Sequence, residues 1–239
     1  MDFEKFKISF VEECKKININ VDEEEISQFY KYMIGILDWN NKINVTSITD
    51  ENMFIVKHFI DSLTVSKYLV DGTKIIDIGT GAGFPGIPLK IINKDKEFTL
   101  VDSINKKLNV IRTINEELKL PKLEIIHSRA EDLANKLEYR EKYDIATTRA
   151  VSNLATILEY MLPFVKIGGL AICMKGPGYK EELTESKKAI EVLGGELIKI
   201  ETIKLDKEME RNLLIIKKKK QTPNKYPRGQ GKPLREPIR

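Results

Sequence analysis

The sequence predicts an α/β fold in which a mostly parallel sheet of about seven strands ends in an antiparallel edge hairpin, preceded by an N-terminal helical subdomain. Two observations predict this fold. From residue 74 onward, short β-rich runs alternate with amphipathic helical stretches, which is typical of a parallel sheet covered on both faces. From residue 194 this alternation stops, because two β-rich runs follow each other with no helix between them.

Residues 1–70 are predicted to form the N-terminal helical subdomain. Asp22 followed by Glu25 resembles a capping box, so we expect a helix to begin there. A second helical segment is expected from about Thr49 to Leu69. Apolar residues recur along the first helix at spacings of three and four and indicate one buried stripe, formed by Ile26, Phe29, Tyr30, Met33, Ile34 and Leu37.

The predicted strands of the sheet are short runs rich in β-branched residues. In chain order they are KIIDI (74–78), EFTLVD (97–102), LEIIH (123–127), YDIATT (143–148) and LAICMK (170–175), followed by the hairpin runs GGELIKIETIKL (194–205) and RNLLIIKK (211–218). Five alternating strands and a hairpin form the strand pattern of class I methyltransferases that use S-adenosylmethionine (SAM), a Rossmann-like fold. We therefore expect a SAM-binding methyltransferase domain over 71–218 and a basic tail with proline and glycine over 219–239.

The bulk composition fits a cytoplasmic globular protein. The first ten residues, MDFEKFKISF, lack the layout of a signal peptide, and no apolar run approaches the length of a membrane span. Cys14 and Cys173 have no metal-binding or redox spacing, so both are expected in the core and no metal site is predicted. From Lys217 to Arg239 there are nine basic residues and one acidic residue, which favours a polyanion partner or, alternatively, a disordered solubilising end.

The glycine-rich loop IIDIGTGAGFPG (75–86) follows the first strand and predicts a ligand that approaches the backbone closely. A triphosphate loop is excluded, because no lysine follows the glycines. A GxGxxG pattern is present, so a dinucleotide stays possible. Asp77 lies before Gly79 and Gly81, where we expect its carboxylate near the mouth of the site, repelling pyrophosphate and attracting a sulfonium. Phe84 and the proline after it are bulky where a pyrophosphate would lie.

Polar residues follow the next strands at the same edge of the sheet. Asp102 ends the second strand, where a carboxylate accepts hydrogen bonds from both ribose hydroxyls. Ala130 and Glu131 follow the third strand, where an adenine edge would be read. Arg149 follows the fourth strand and could contact a ligand or pair with a nearby acid. Together these residues predict a nucleoside-containing cofactor at the carboxyl ends of the strands.

Four further residues are candidates for contact with RNA. His58, which shares a helical face with Asp61, could cap the site or only satisfy Asp61 at the domain junction. Lys175, Arg211 and Arg228 are cations suited to phosphates, or ordinary surface charges. No catalytic residue is assigned, because an acceptor such as a ring nitrogen, with a free lone pair, needs alignment rather than covalent activation.

Several motifs resemble one family, the bacterial small-subunit ribosomal RNA methyltransferases G, also called glucose-inhibited division protein B. The resemblance extends over nearly the whole chain to about residue 218 and rests on NKINVTSITD (41–50), HFIDSL (58–63), DIGTGAGFPGIPL (77–89), LVDS (100–103), SRAED (128–132), TRAVS (148–152) and MKG (174–176).

The resemblance implies a monomeric enzyme that transfers a methyl group from SAM to N7 of a guanine in a loop of 16S ribosomal RNA. It also implies action on RNA within a small-subunit ribonucleoprotein particle. Carried over by position, the family's SAM contacts fall on Gly79, Phe84, Ala130, Glu131 and Arg149. Three other functions stay open: a SAM-dependent methyltransferase of a small molecule or a protein, an NAD-dependent Rossmann oxidoreductase, and a non-catalytic RNA-binding module.

Overall fold

The structure, a computed structural model, describes residues 1–70, 73–149, 152–206 and 209–239, and within these ranges seven strands form one sheet. The strands are β1 (Lys74–Ile78), β2 (Glu97–Asp102), β3 (Leu123–His127), β4 (Tyr143–Thr148), β5 (Val165–Lys175), β6 (Gly195–Lys204) and β7 (Glu210–Lys218). Their order across the sheet is β3-β2-β1-β4-β5-β7-β6. The first five strands are parallel, and β7 pairs antiparallel with both β5 and β6. The predicted α/β sheet with an antiparallel edge hairpin is confirmed.

Strand β5 is longer than predicted, because it begins at Val165 rather than at residue 170. The pairing register shifts between Tyr143 and Ile145 of β4, which oppose Val165 and Leu170. The two glycines at 168 and 169 lie in this bulge, and Gly168 has φ of +89°. In a sequence, a pair of glycines indicates a turn. In the structure the strand continues through both glycines and forms a bulge there.

The helices cover both faces of the sheet. They are α1 (Phe3–Lys16), α2 (Glu23–Asn40), α3 (Glu51–Phe54), α4 (Asp61–Leu63), α5 (Gly86–Ile91), α6 (Asn105–Leu118), α7 (Ala130–Leu133), α8 (Leu154–Met161), α9 (Tyr179–Glu185), α10 (Lys187–Val192) and α11 (Lys232–Arg235), with 3₁₀ turns at Ser66–Tyr68 and Leu162–Phe164. Within the described ranges, no helix is both long enough and apolar enough to span a bilayer.

Helix α2 begins with the capping box that the sequence predicts. The Asp22 carboxylate accepts from the Glu25 backbone N–H at 2.8 Å, and the Glu25 carboxylate accepts from the Asp22 N–H at 2.9 Å. The buried face differs from the predicted stripe, since Tyr32 and Ile36 are fully buried while Tyr30 lies at its edge. The helix therefore presents Tyr32 to the sheet domain.

The helical segment predicted from about Thr49 to Leu69 is helical without a break from Glu51 to Leu63, but it is not a uniform α-helix. Between α3 and α4 the chain forms a π-helical turn, Ile55–Ile60. All residues from 58 to 65 are buried. A segment enclosed on every side has no single apolar stripe, so a helical period of 3.6 residues does not describe it. The wider π turn, a feature found often at functional sites, carries His58.

Two of the three hydrophobic clusters of the described residues lie beside the site. One unites α1 and α2 with α5 and α6 and includes Phe59 and Phe84, so the N-terminal helices pack directly on the glycine loop. The other lies beneath α8 and includes Cys173. Cys14 and Cys173 are free and buried, as predicted.

Candidate functional site

The alternation of side chains along β1 divides the predicted site residues into two groups. Ile76 and Ile78 enter the core beneath α8, whereas Ile75 belongs to a cluster on the opposite face. Since successive side chains of a strand point to opposite faces, Asp77 faces the N-terminal helices. On the α8 side, Ile78 lines a cavity.

This cavity, of about 280 Å³, lies where β1, β2 and β3 end. Four of the predicted cofactor residues line it: Gly79, Asp102, Ala130 and Glu131. Three side chains of α8, Ile157, Tyr160 and Met161, provide an apolar wall. A polar rim with an apolar wall suits a ligand that combines a sugar with a flat base.

Asp102 is held in place by two backbone donors. Its Oδ2 accepts from Gly81 N–H and its Oδ1 from Ile104 N–H, both at 2.8 Å. Each carboxylate oxygen has a further lone pair, so the group still accepts bonds from a ligand. Gly79 lies in the left-handed region with φ of +69°, where an L side chain is strained. Gly81 does not line the cavity, but its backbone N–H donates the hydrogen bond that helps to hold the Asp102 carboxylate in place.

Glu131 lies on the short helix α7 with its side chain almost fully buried. Its Oε1 accepts from the backbone N–H of Gly231 at 3.1 Å. The guanidinium of Arg129 lies 3.7 Å from the same oxygen. The second carboxylate oxygen of Glu131 is thus available to an amino group of a ligand in the cavity.

Asp77 does not lie at the mouth of the site, so the expected position of its carboxylate is wrong. The side chain is fully buried under the glycine loop and does not line the cavity. Its Oδ2 accepts from the Thr80 hydroxyl at 2.6 Å and from Gly86 N–H at 2.9 Å. Its Oδ1 has no hydrogen-bond partner among the residues that the structure describes. Asp77 therefore holds the loop from below, and direct contact with a cofactor stays a prediction.

Burial raises the pKa of Asp77 from 3.8 to about 7, which predicts a pH-dependent stability. Between these values the folded protein holds a proton that the unfolded chain has released, so the free energy of unfolding falls as pH rises. We expect Asp77→Asn to remove a decline of about 3 to 4 kcal/mol between pH 4 and 7. Urea unfolding of the ligand-free proteins across that range measures the difference, and identical pH slopes would contradict it.

Phe84 lies on the face opposite the cavity, in a group we call the Phe84 cluster: Phe84, His58, Arg149, Asp61 and Arg211. The His58 ring stacks on the Phe84 ring with centroids 4.3 Å apart and planes 11° apart. The Arg149 guanidinium carbon lies 5.0 Å from the centre of the Phe84 ring. The cluster therefore joins the glycine loop to the N-terminal helices.

Arg149 has three polar partners among the described residues, two of which belong to this cluster. Its guanidinium donates to Lys57 O at 2.9 Å, to His58 Nδ1 at 2.9 Å and to Asp61 Oδ2 at 3.1 Å. Arg211 donates to both oxygens of Asp61, at 2.6 and 2.7 Å. The fully buried carboxylate of Asp61 is therefore neutralised by two guanidinium groups.

The hydrogen bonds define the tautomer of His58. Because arginine only donates, Nδ1 of His58 must accept from Arg149, and Nε2 carries the proton toward Thr46 Oγ1 at 2.8 Å. Burial and the charge of Arg149 lower the pKa of His58 to about 3. His58 is therefore neutral at physiological pH and acts as a fixed acceptor and ring platform.

The four candidates for RNA contact all bond to their own chain. Besides His58 and Arg211 in the cluster, Lys175 donates to Ser152 O at 2.5 Å and pairs with Glu182 at 2.7 Å. Arg228 pairs with the buried Glu159 at 2.7 Å. RNA contact by these side chains stays a prediction and would require these bonds to be exchanged. Ala150 and Val151, in the motif TRAVS (148–152), lie outside the described residues.

Several contributors to the site are not predicted from the sequence, among them the apolar wall of α8, Tyr32 and Leu234. The Tyr32 hydroxyl donates to the carbonyl of Ala82 in the glycine loop. Leu234 of the C-terminal segment lines the cavity. The burial of Tyr32 could have been predicted only by assigning the buried face of α2 to a different set of residues. Nothing in a single sequence indicates that Leu234 lies near the end of β1.

The GidB family model, described as rRNA small subunit methyltransferase G, matches residues 25–214. Ribosomal RNA small subunit methyltransferase G of Alkaliphilus oremlandii (strain OhILAs) is 47% identical over 231 residues, covering 95% of this chain and 97% of that protein. The protein of that name from Clostridium tetani (strain Massachusetts / E88) is 44% identical over 229 residues, covering 95% and 96%.

Among solved structures, M. capricolum TrmK in complex with S-adenosyl-homocysteine has a TM-score of 0.52 and 22% identity, covering 67% of this chain and 68% of that one. This likeness concerns the fold, and it agrees with the strand order. The class I methyltransferase fold that the strand pattern predicts is confirmed.

Proposed function

The chain belongs to the rRNA small subunit methyltransferase G family, and we propose that it transfers a methyl group from SAM to N7 of a guanine in a loop of 16S ribosomal RNA. The coarser activity, SAM-dependent methylation of small-subunit rRNA, follows from the family itself. The N7 position and the loop are the finer part of the proposal.

The observation that carries the proposal is the placement of two carboxylates, Asp102 and Glu131, on one cavity at the carboxyl ends of the strands. Both are almost fully buried and each is fixed by a backbone N–H. Ribose hydroxyls and an exocyclic amine are the donors that such carboxylates accept. We propose that Asp102 holds the ribose of SAM and Glu131 its adenine, with Gly79 and Ala130 close to the ligand backbone.

The residues present fit this cofactor, which supplies an activated methyl group when bound. The apolar wall from α8 supports a flat base beside Glu131, and Gly79 leaves room for a close approach. The Asp77 carboxylate lies under the glycine loop, so repulsion between this carboxylate and a pyrophosphate does not count against a dinucleotide. What favours SAM over NAD is the family to which the chain belongs.

The chemistry requires alignment more than a reactive side chain. Burial raises the pKa of both cysteines, Cys14 and Cys173, to about 12, so neither is a thiolate nucleophile. Guanine N7 has a free lone pair and needs no covalent activation, and it is accessible in RNA loops. Arg149 and Phe84 would act as positioning residues, because they tie the glycine loop to the N-terminal helices.

We propose that the helical subdomain 1–70 positions the loop and the acceptor, that residues 71–218 bind SAM, and that the monomer acts in the cytoplasm on rRNA within a ribonucleoprotein particle. The contacts of His58 and Asp61 with Arg149 support the first part, since they link the subdomain to the residue that follows β4.

Transfer of a tritiated methyl group from SAM tests the function. Small-subunit particles, naked 16S rRNA and bulk protein are offered separately to the enzyme. We expect label in RNA, with aniline cleavage and primer extension locating it at the N7 of one guanine. Label in protein alone contradicts the RNA substrate, and labelled RNA without aniline cleavage contradicts N7. Preference for particles over naked RNA tests the ribonucleoprotein substrate.

A further inference from the structure

The C-terminal segment, residues 219–239, packs on the sheet domain beside the cavity. Arg140 donates to Thr222 O at 2.8 Å and to Tyr226 O at 3.0 Å. Further along, the hydroxyl of Thr156 on α8 donates to Pro233 O at 2.8 Å. These bonds join the segment to two separate parts of the sheet domain.

The main anchor of this segment is the ion pair between Arg228 and Glu159 of α8. The Arg228 guanidinium meets both Glu159 oxygens, at 2.9 and 2.7 Å, and its backbone N–H donates to Oε1 at 2.8 Å. Glu159 is fully buried. A two-pronged arginine–carboxylate pair at a buried acid fixes orientation as well as position. It directs the following residues toward the cavity.

Part of the segment's positive charge is neutralised by carboxylates of the protein itself. Lys219 lies 3.0 Å from Glu196 and Arg239 lies 3.5 Å from Glu185, in addition to the Arg228 pair. The basic residues of this segment are therefore explained in part by ion pairs within the fold, and not only by a polyanion partner.

Two residues of the segment reach the cavity itself. Gly231 donates its backbone N–H to Glu131 Oε1 at 3.1 Å. Three residues later, Leu234 lines the cavity with its side chain, which is 60% exposed in the structure. An exposed leucine at a cavity rim loses water contact when a ligand covers it.

We propose that the C-terminal segment is a wall of the SAM site, in which Gly231 positions Glu131 and Leu234 covers the bound nucleoside. The inference rests on the proposed function and deepens it, because it assigns cofactor binding to the basic segment. Gly231 is a positioning residue, since it acts through Glu131, whereas Leu234 contacts the ligand directly.

Calorimetric titration of SAM into the full chain and two leucine variants tests the direct contact. Leu137 is 84% exposed and does not line the cavity, so Leu137→Ala is the matched control. We expect Leu234→Ala to raise the Kd for SAM by about threefold to tenfold, as loss of apolar burial requires, and Leu137→Ala to leave it unchanged. Equal Kd values for Leu234→Ala and the full chain would overturn the proposal.

Hydrogen exchange of the full chain tests the role of Gly231. If the segment closes over SAM, exchange of the Gly231 amide slows with ligand, by up to about 100-fold at a concentration 100 times the Kd. Unchanged exchange around Gly231 in the presence of bound SAM overturns the positioning role. Absence of any SAM binding by the full chain would instead refute the proposed function.

Discussion

Replacing Asp102 with alanine is expected to raise the Kd for SAM by at least about 100-fold. Hydrogen bonds to a charged group contribute about 1.5 to 3 kcal/mol each, and the carboxylate would lose two of them to the ribose. The loss also frees Gly81 N–H, which now donates to Asp102 at 2.8 Å, so the glycine loop loses one of its supports. Calorimetric titration with SAM measures the change directly.

A matched control for this variant lies at the other end of the sheet. Asp144 of β4 also accepts a backbone N–H, that of Lys74, at 2.8 Å, but it does not line the cavity. We expect Asp144→Ala to leave the Kd for SAM unchanged. An equal loss of affinity in both variants would mean that general destabilisation, rather than a lost cofactor contact, explains the effect of Asp102→Ala.

Replacing Arg149 with alanine is expected to lower the free energy of unfolding by about 3 to 5 kcal/mol, because it removes one partner from a buried ionic cluster. Lys57 O and His58 Nδ1 lose their donor, and Phe84 loses the guanidinium beside its ring. Arg149→Lys should restore little, since an ammonium lacks the planar fork that reaches these groups. Urea unfolding measures the stability.

Arg211→Ala is the control that separates stability from function. Like Arg149→Ala it removes one guanidinium from Asp61, but Arg211 makes no stacking contact with Phe84 in the described contacts. We expect both variants to be less stable and only Arg149→Ala to slow methyl transfer when SAM and rRNA are both saturating, since weaker RNA binding without Arg211 does not affect the rate under that condition. Equal rates of methyl transfer for the two variants, measured below their unfolding temperatures, would contradict a positioning role for Arg149.

The sheet could be predicted from the sequence almost residue by residue. Strands β1 to β4 have the predicted bounds, because each is a short β-branched run that ends at a turn residue. The start of β5 could not be predicted from the sequence, because the bulge at Gly168 arises only when β4 pairs with β5. The π turn around His58 could not be predicted from the sequence for a similar reason, because its geometry depends on packing against all sides of the segment.

The candidate site could be predicted in its residues but not in its arrangement. Asp102 and Glu131 follow strands whose ends meet at one edge, so sequence order alone places them together. The sequence also predicts Asp77 at this cavity, yet the alternation of side chains along β1 directs its carboxylate to the other face of the sheet. The contact of Gly231 with Glu131 spans 100 positions and depends on the folded path of the chain.

The glycine loop contacts both sides of the sheet, through Gly79 at the cavity and Phe84 among the N-terminal helices. A ligand that shifts the loop from one side changes the free energy of binding on the other. Thermodynamic linkage makes this coupling reciprocal: the factor by which RNA changes the affinity for SAM equals the factor by which SAM changes the affinity for RNA. An rRNA substrate and a methyl donor would in this way favour the same loop conformation.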